Sequence, residues 1–119
     1  LRFFIMDNKT IFQKIIEKEI PSDIIFEDEL CIVIKDINPQ APLHLLIIPK
    51  KPIPKLSEAS KEDLKILGHL MLIVGNMSRK FDVDDAFNVL INNGEKAGQT
   101  VFHLHIHLLA GNNKLNLPK

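Results

Sequence analysis

The sequence predicts a single α+β domain: a five-stranded antiparallel sheet, a short helix at the start, and one long helix between the third and fourth strands. Three observations lead there. Short β-rich runs recur at residues 24–26, 30–34, 43–48, 86–91 and 103–109, separated by turn formers. Two stretches instead repeat apolar residues every three or four positions, from Ile11 to Ile16 and from Leu64 to Met77. The chain has 119 residues, enough for one modest core and too few for two ordinary domains. We expect an N-terminal extension over residues 1–9, the domain over 10–111 and a polar tail over 112–119.

Thr10 opens the first helix as its cap, with Gln13 placed three residues on to complete a capping box. Phe12 and Ile15 then read as core packing, and Pro21 stops the helix. The next two runs flank Glu27-Asp28-Glu29 and read as a hairpin. Asp36 falls where the second strand gives way to a loop, a position suited to a turn cap and equally to a ligand-contacting carboxylate. Residues 43–48 are almost wholly apolar, which suits a strand covered on both faces. His44 interrupts that run and needs a partner, because an unpaired buried polar group costs about 1–3 kcal/mol. Pro49, Pro52 and Pro54 predict an extended connection. Ser60, with an acid three residues on, opens the long helix over residues 60–80. Its main stripe is Leu64, Leu67, Leu70, Met71, Val74 and Met77; Ile66 and Ile73 widen it into a second face, fit to cover the sheet and to meet a partner chain. His69 on this helix reads as structural or solvated.

Composition narrows the function. Apolar residues make up 45% and charged residues 25%, ordinary for a globular protein. Fifteen basic residues balance fifteen acidic ones, and no basic stripe is visible, which argues against a nucleic-acid partner. No apolar run approaches the ~20 residues of a membrane span, and the apolar opening is too short for a signal peptide, with Met6 a candidate natural start. The single cysteine, Cys31, lies in an apolar run and reads as a small buried hydrophobe. We expect a cytoplasmic protein.

The chemistry concentrates in His103-Leu104-His105-Ile106-His107-Leu108-Leu109, which holds three of the five histidines at alternate positions. On a strand they line one face while Leu104, Ile106 and Leu108 line the other. A metal site is the rival reading. Successive imidazoles on a straight strand start ~6.6 Å apart, so three cannot share one metal at ~2.0 Å without a sharp bend. Two of them with a distant ligand still can. Gly98-Gln99-Thr100, just upstream, brings backbone N–H groups and a hydroxyl to where an anion would lie against His105. Phosphoryl transfer needs an in-line nucleophile, donors for the equatorial oxygens and a proton source. His105 suits the first role, and Asn92, Gly98, Gln99, Thr100 and His107 the others. One His105 nitrogen must then be free to attack, while the other donates to an acceptor such as a backbone carbonyl. Nothing in the row forms a metal-binding carboxylate cluster, so we expect no metal and no cofactor. Acyl transfer would use a similar constellation.

The histidine segment resembles the signature of the histidine triad (HIT) family, His-φ-His-φ-His-φ-φ with φ apolar. Gly98-Gln99-Thr100-Val101 matches as well, as do residues 20–28 and 36–51, so the similarity runs from Thr10 to Gly111. Together these segments look like the Hint branch, the purine nucleoside phosphoramidases. The resemblance implies that His105 attacks the α-phosphorus and forms a nucleotidyl-histidine that water hydrolyses. It implies that His107 and Thr100 contact the phosphate and leaving group, with His44 and His103 completing the histidine network. Asn92, Gly98 and Gln99 would hold phosphate and ribose, Asp36 the ribose hydroxyls, and Ile37 with Phe12 and Ile15 would flank the purine. It further implies a homodimer, built on the long helix and a strand, whose sheet runs on across the interface. The implied ligands are AMP, GMP and their phosphoramidates, including adenylylated lysine. The chain departs from familiar members in three places. Thr100 replaces a serine and keeps the hydroxyl, Ile34 and Lys35 replace an aromatic residue and a histidine, and the tail lacks a tryptophan. Rival functions are dinucleoside polyphosphate hydrolysis, a nucleotide-binding or scaffolding role with vestigial chemistry, and zinc binding. For a histidine nucleophile, activity should fall as the imidazole protonates, near its ordinary pKa of ~6.5.

Overall fold

The computed structural model describes residues 9–111. The expected tail over 112–119, and all of the expected extension but Lys9, lie outside the described residues. Strands β1 (Ile24–Glu27) and β2 (Cys31–Lys35) form the expected hairpin. Its turn is closed by Asp28, whose Oδ1 accepts the N–H groups of Leu30 at 2.8 Å and Cys31 at 2.9 Å. Strand β3 (Leu43–Pro49) pairs with β2 on one side and with the last strand, β5 (Ile106–Ala110), on the other; β4 (Asn88–Leu90) forms the far edge. The order is β1-β2-β3-β5-β4. Every pair is antiparallel, as the sequence predicts.

The period of two along the strands separates two apolar layers. Cys31, Val33, Leu45, Ile47, Ile106 and Leu108 face the long helix α2 (Leu64–Lys80). Ile32, Ile34, Leu46 and Ile48 face the short helix α1 (Ile11–Ile16) and meet Phe12 and Ile15. The central strand β3 is therefore covered on both faces, as its unbroken apolar run requires.

Four local expectations are corrected. Thr10 caps α1, its hydroxyl accepting the Gln13 N–H at 3.1 Å, but no capping box forms, because the Gln13 amide donates to Glu17 at 2.6 Å instead. The helix also ends before Pro21: the chain turns at Lys18, with φ of 65°. On α2 the buried apolar residues are Ile66, Leu70, Ile73, Val74 and Met77, whereas Leu64 and Met71 of the predicted stripe are exposed. The entry explains this rotation. Lys61–Asp63 is a 3-10 turn, and the Asp63 carboxylate takes the Ser60 N–H at 2.9 Å and the Lys51 ammonium at 2.5 Å, fixing which face meets the sheet. Lastly, β5 begins at Ile106, so His103 and His105 precede the strand instead of lying within it. The Leu104 N–H donates to the Ile53 carbonyl at 2.7 Å and not to a ladder. His69 is structural, its Nε2 lying 2.6 Å from Asp28 and tying α2 to the hairpin turn. Among the described residues no helix is long and apolar enough to cross a membrane.

Candidate active site

The sheet face that carries α1 also carries the histidines. His44 pairs with Leu109 and Leu46 with His107, so His44 and His107 are diagonal neighbours across β3 and β5. Their rings meet: His44 Nε2 lies 2.9 Å from His107 Nδ1. The Phe12 ring stands edge-on to the His105 ring, centroids 4.8 Å apart, and packs more loosely on His103. Phe12 and Ile15 are thus both core residues and walls of the site. They line a cleft of about 350 Å3 together with Ile11, Ile20, Pro21, Ile34, Asp36, Ile37, Thr100, His105 and His107. That volume is within the usual range for a small-molecule site. The lining is mostly apolar, with Asp36, Thr100, His105 and His107 among its polar members, and Ile37 is 93% exposed.

Burial holds all four imidazoles below their ordinary pKa. In His105 the shift is opposed by the bond to a backbone carbonyl and by the charge of Asp36. Burial acts the same way on His44 and His103. His107 is pushed down to about 4, by burial first and then by the neighbouring His105 and His44. At neutral pH all four rings are neutral, and each has one N–H and one bare nitrogen. The hydrogen bonds then assign every proton. The Gln40 N–H donates to His44 Nδ1 at 3.0 Å, so the His44 proton is on Nε2. It donates to His107 Nδ1, which leaves the His107 proton on Nε2. His103 Nε2 donates to the Pro49 carbonyl at 2.7 Å. His105 Nδ1 donates to the His103 carbonyl at 2.7 Å. His105 Nε2 therefore keeps a bare lone pair in a ring that lines the cleft. His107 Nε2–H, on the same wall, has no partner among the described residues.

Asp36 both caps and lines. Its Oδ1 accepts the Asn38 N–H at 2.9 Å, and its Oδ2 sits 3.4 Å from His44 Nε2. Asp36, His44 and His107 bring three potential metal ligands within 4.8 Å of one another, as do Asp28, Cys31 and His69. In each trio a hydrogen bond already joins two of the donors. Burial and the Asp28 charge push the Cys31 thiol up to about 12, which makes it a poor nucleophile.

A model of the HIT domain matches residues 17–114. The chain belongs to the HIT family. An uncharacterized HIT-like protein of Synechocystis is 54% identical over 106 residues, spanning 89% of this chain and 93% of that one. A HIT family hydrolase from Clostridium thermocellum superposes with a TM-score of 0.87 at 42% identity, covering 96% and 97% of the two chains. A histidine triad nucleotide-binding protein from Candida albicans superposes at 0.77 with 36% identity, covering 84% of this chain and 73% of that one. The five-stranded sheet with its long helix is thus the HIT fold.

Within this HIT domain the cleft brings together Phe12, Ile15, Asp36, Ile37, Thr100, His105 and His107, with His44 and His103 behind them through hydrogen bonds. Asn92, Gly98 and Gln99 do not line it. The N–H groups of Gly98 and Gln99, which the sequence suggested for an anion, are used inside their own turn, donating to Glu95 and Gly94. Gly98 makes that turn in the left-handed region, φ 97°, and the Asn92 amide packs beside it. Two contributors escaped the sequence. Gln40 fixes the His44 tautomer through its backbone N–H, and Pro49 orients His103 through its carbonyl. Main-chain groups carry no residue signature, so only the fold reveals them.

Proposed function

We propose that this HIT protein hydrolyses the P–N bond of purine nucleoside 5′-phosphoramidates. The observation that carries the reading is the proton assignment: His105 is the one imidazole in the cleft whose bare nitrogen is Nε2. The Nε2 lone pair attacks the α-phosphorus as the P–N bond breaks. The departing nitrogen leaves with the bond's electrons, hydrogen-bonded to His107 Nε2–H, and takes its proton from solvent water in the cleft. Water then attacks the nucleotidyl-histidine, which releases the nucleotide, frees His105 Nε2 and returns the surplus proton to solvent. The Thr100 hydroxyl and N–H, which have no protein partner among the described residues, serve the phosphoryl oxygens. Asp36 accepts from the ribose hydroxyls, and the purine lies between Ile37 and the Phe12–Ile15 wall. The names of the Clostridium and Candida neighbours, a hydrolase and a nucleotide-binding protein, support this reading.

The functional unit in this proposal is a homodimer. Leu64, Met71 and Leu72 are 76%, 48% and 69% exposed on the outer face of α2, beside Gly68, where an added Cβ would meet nothing within 4 Å. Strand β4 offers an open edge with Val89 exposed, where a partner's strand would continue the sheet. Sedimentation of the parent as a monomer at micromolar concentration would exclude this assembly.

Turnover of adenosine and guanosine 5′-phosphoramidates, beside a dinucleoside polyphosphate and without added metal, tests the activity. The parent should release the amine, prefer the phosphoramidates, and lose more than about 10³-fold in rate in His105→Ala. Faster cleavage of the dinucleotide would move the assignment to P–O–P hydrolysis. Nucleotide binding without turnover would leave a binding role.

A further inference from the structure

Gln99 directly precedes Thr100, yet its side chain is 2% exposed and absent from the cleft wall. Every strong group of its amide is used within the protein. Oε1 accepts the Gly94 N–H at 2.8 Å, while Nε2 donates to the Pro54 carbonyl at 2.9 Å and the Val101 carbonyl at 3.0 Å. The amide has one workable orientation, since a flipped one would set its oxygen against two carbonyls and its hydrogens against an N–H. Gln99 thus joins three segments: the start of the glycine turn, the residue just past Thr100, and the proline connection.

That connection also holds the histidines. Pro49 O accepts from the His103 ring and Ile53 O from the Leu104 N–H. His103 O in turn fixes the His105 tautomer. Pro49 is the last residue of β3, and prolines 52 and 54 have no N–H to offer a strand, which keeps the stretch after it out of the sheet. Gln99, His103 and Leu104 are therefore three ties from the catalytic loop to one rail. Thr100 has no protein hydrogen bond among the described residues, so its place is set by its neighbours on that rail.

We infer that Gln99 is a positioning residue: it holds Thr100 against the phosphoryl group in register with His105, and it does not bind the nucleotide itself. This rests on the phosphoramidase reading. A misplacement of about 1 Å in such a constellation costs roughly 10²-fold in rate. Gln99→Ala removes all three ties. Gln99→Glu keeps the shape but, when ionised, sets a carboxylate against the Pro54 and Val101 carbonyls; protonated, it again donates to one of them.

The test compares AMP affinity and single-turnover rate in the parent, Gln99→Ala and Gln99→Glu from pH 6 to 8. Gln99→Ala should bind AMP within about threefold of the parent and react about 10²-fold more slowly. The rate of Gln99→Glu relative to the parent should rise as pH falls from 8 to 6. If Gln99→Ala does not fold, this relative gain alone decides the matter. Affinity lost in proportion to rate would make Gln99 a ligand contact, and parental values in both variants would remove its role. Either result, in an active parent, overturns the inference while leaving the phosphoramidase reading standing. An inactive parent overturns both.

Discussion

His105 differs from its three partners by the position of one proton. His44, His103 and His107 carry theirs on Nε2, and His105 carries its own on Nδ1. The cause is local: the His105 ring reaches back two residues to a main-chain carbonyl, whereas His107 accepts from a neighbouring ring. Nitrogen-proton correlation spectra at neutral pH should show three Nε2–H tautomers and one Nδ1–H tautomer among these rings. An Nε2–H tautomer at His105 would remove the nucleophile. The sequence stated the requirement, a free nitrogen opposite one tied to a carbonyl, but the groups that fix the other three rings sit up to 63 residues away and include main-chain atoms. The burial that lowers the His105 pKa also moves the acid limb of the rate profile below the ~6.5 of a free imidazole.

Among the elements, the loop before β5 matters most, and its backbone is demanding. Gly98 sits at φ 97°, and the nearest atom to an added Cβ would be the Asn92 amide at 3.7 Å, an ordinary contact. A side chain there suffers from the backbone angle and not from crowding. Gly98→Ala should therefore cost about 1–2 kcal/mol of stability in chemical denaturation, and it should slow turnover by loosening the turn that leads to Thr100. An unchanged midpoint would contradict that. Strand number, the hairpin, the double-sided β3 and the alternation of His103, His105 and His107 with apolar residues were all legible, because each is a short-range pattern. The inward face of α2 was not. Periodicity gave two overlapping stripes, and the choice between them rests on a 3-10 entry and the Asp63 contacts with Ser60 and Lys51, which no period encodes. The start of β5 was missed for a similar reason, because Leu104 bonds to the proline connection instead of a strand.

For the molecule as a whole, three buried histidines and the half-buried His107, all neutral, couple folding to pH. Each has a folded-state pKa below its unfolded value of ~6.5, so the unfolded chain binds more protons as pH falls. Their contribution is complete above pH 6.5 and is lost as pH drops toward the folded values, about 4 for His107. The melting temperature should be level from pH 7 to 8 and lower by at least about 5 °C at pH 4.5. His107→Asn should flatten part of that dependence, and an acid limb unchanged in this variant would mean that other groups set it. The same burial that couples the histidines to pH keeps the cleft's rings neutral and their hydrogen-bond directions unique.

The central claim is a covalent bond between phosphorus and His105 Nε2. Mixing the protein with an adenosine 5′-phosphoramidate, quenching in alkali within one turnover and mapping the adduct by mass spectrometry tests it most directly. The predicted result is one adenylyl group per active site on His105, absent from His105→Asn, and formed and lost at rates that account for turnover. Turnover with no adduct, or an adduct on His107 or His103, would contradict it.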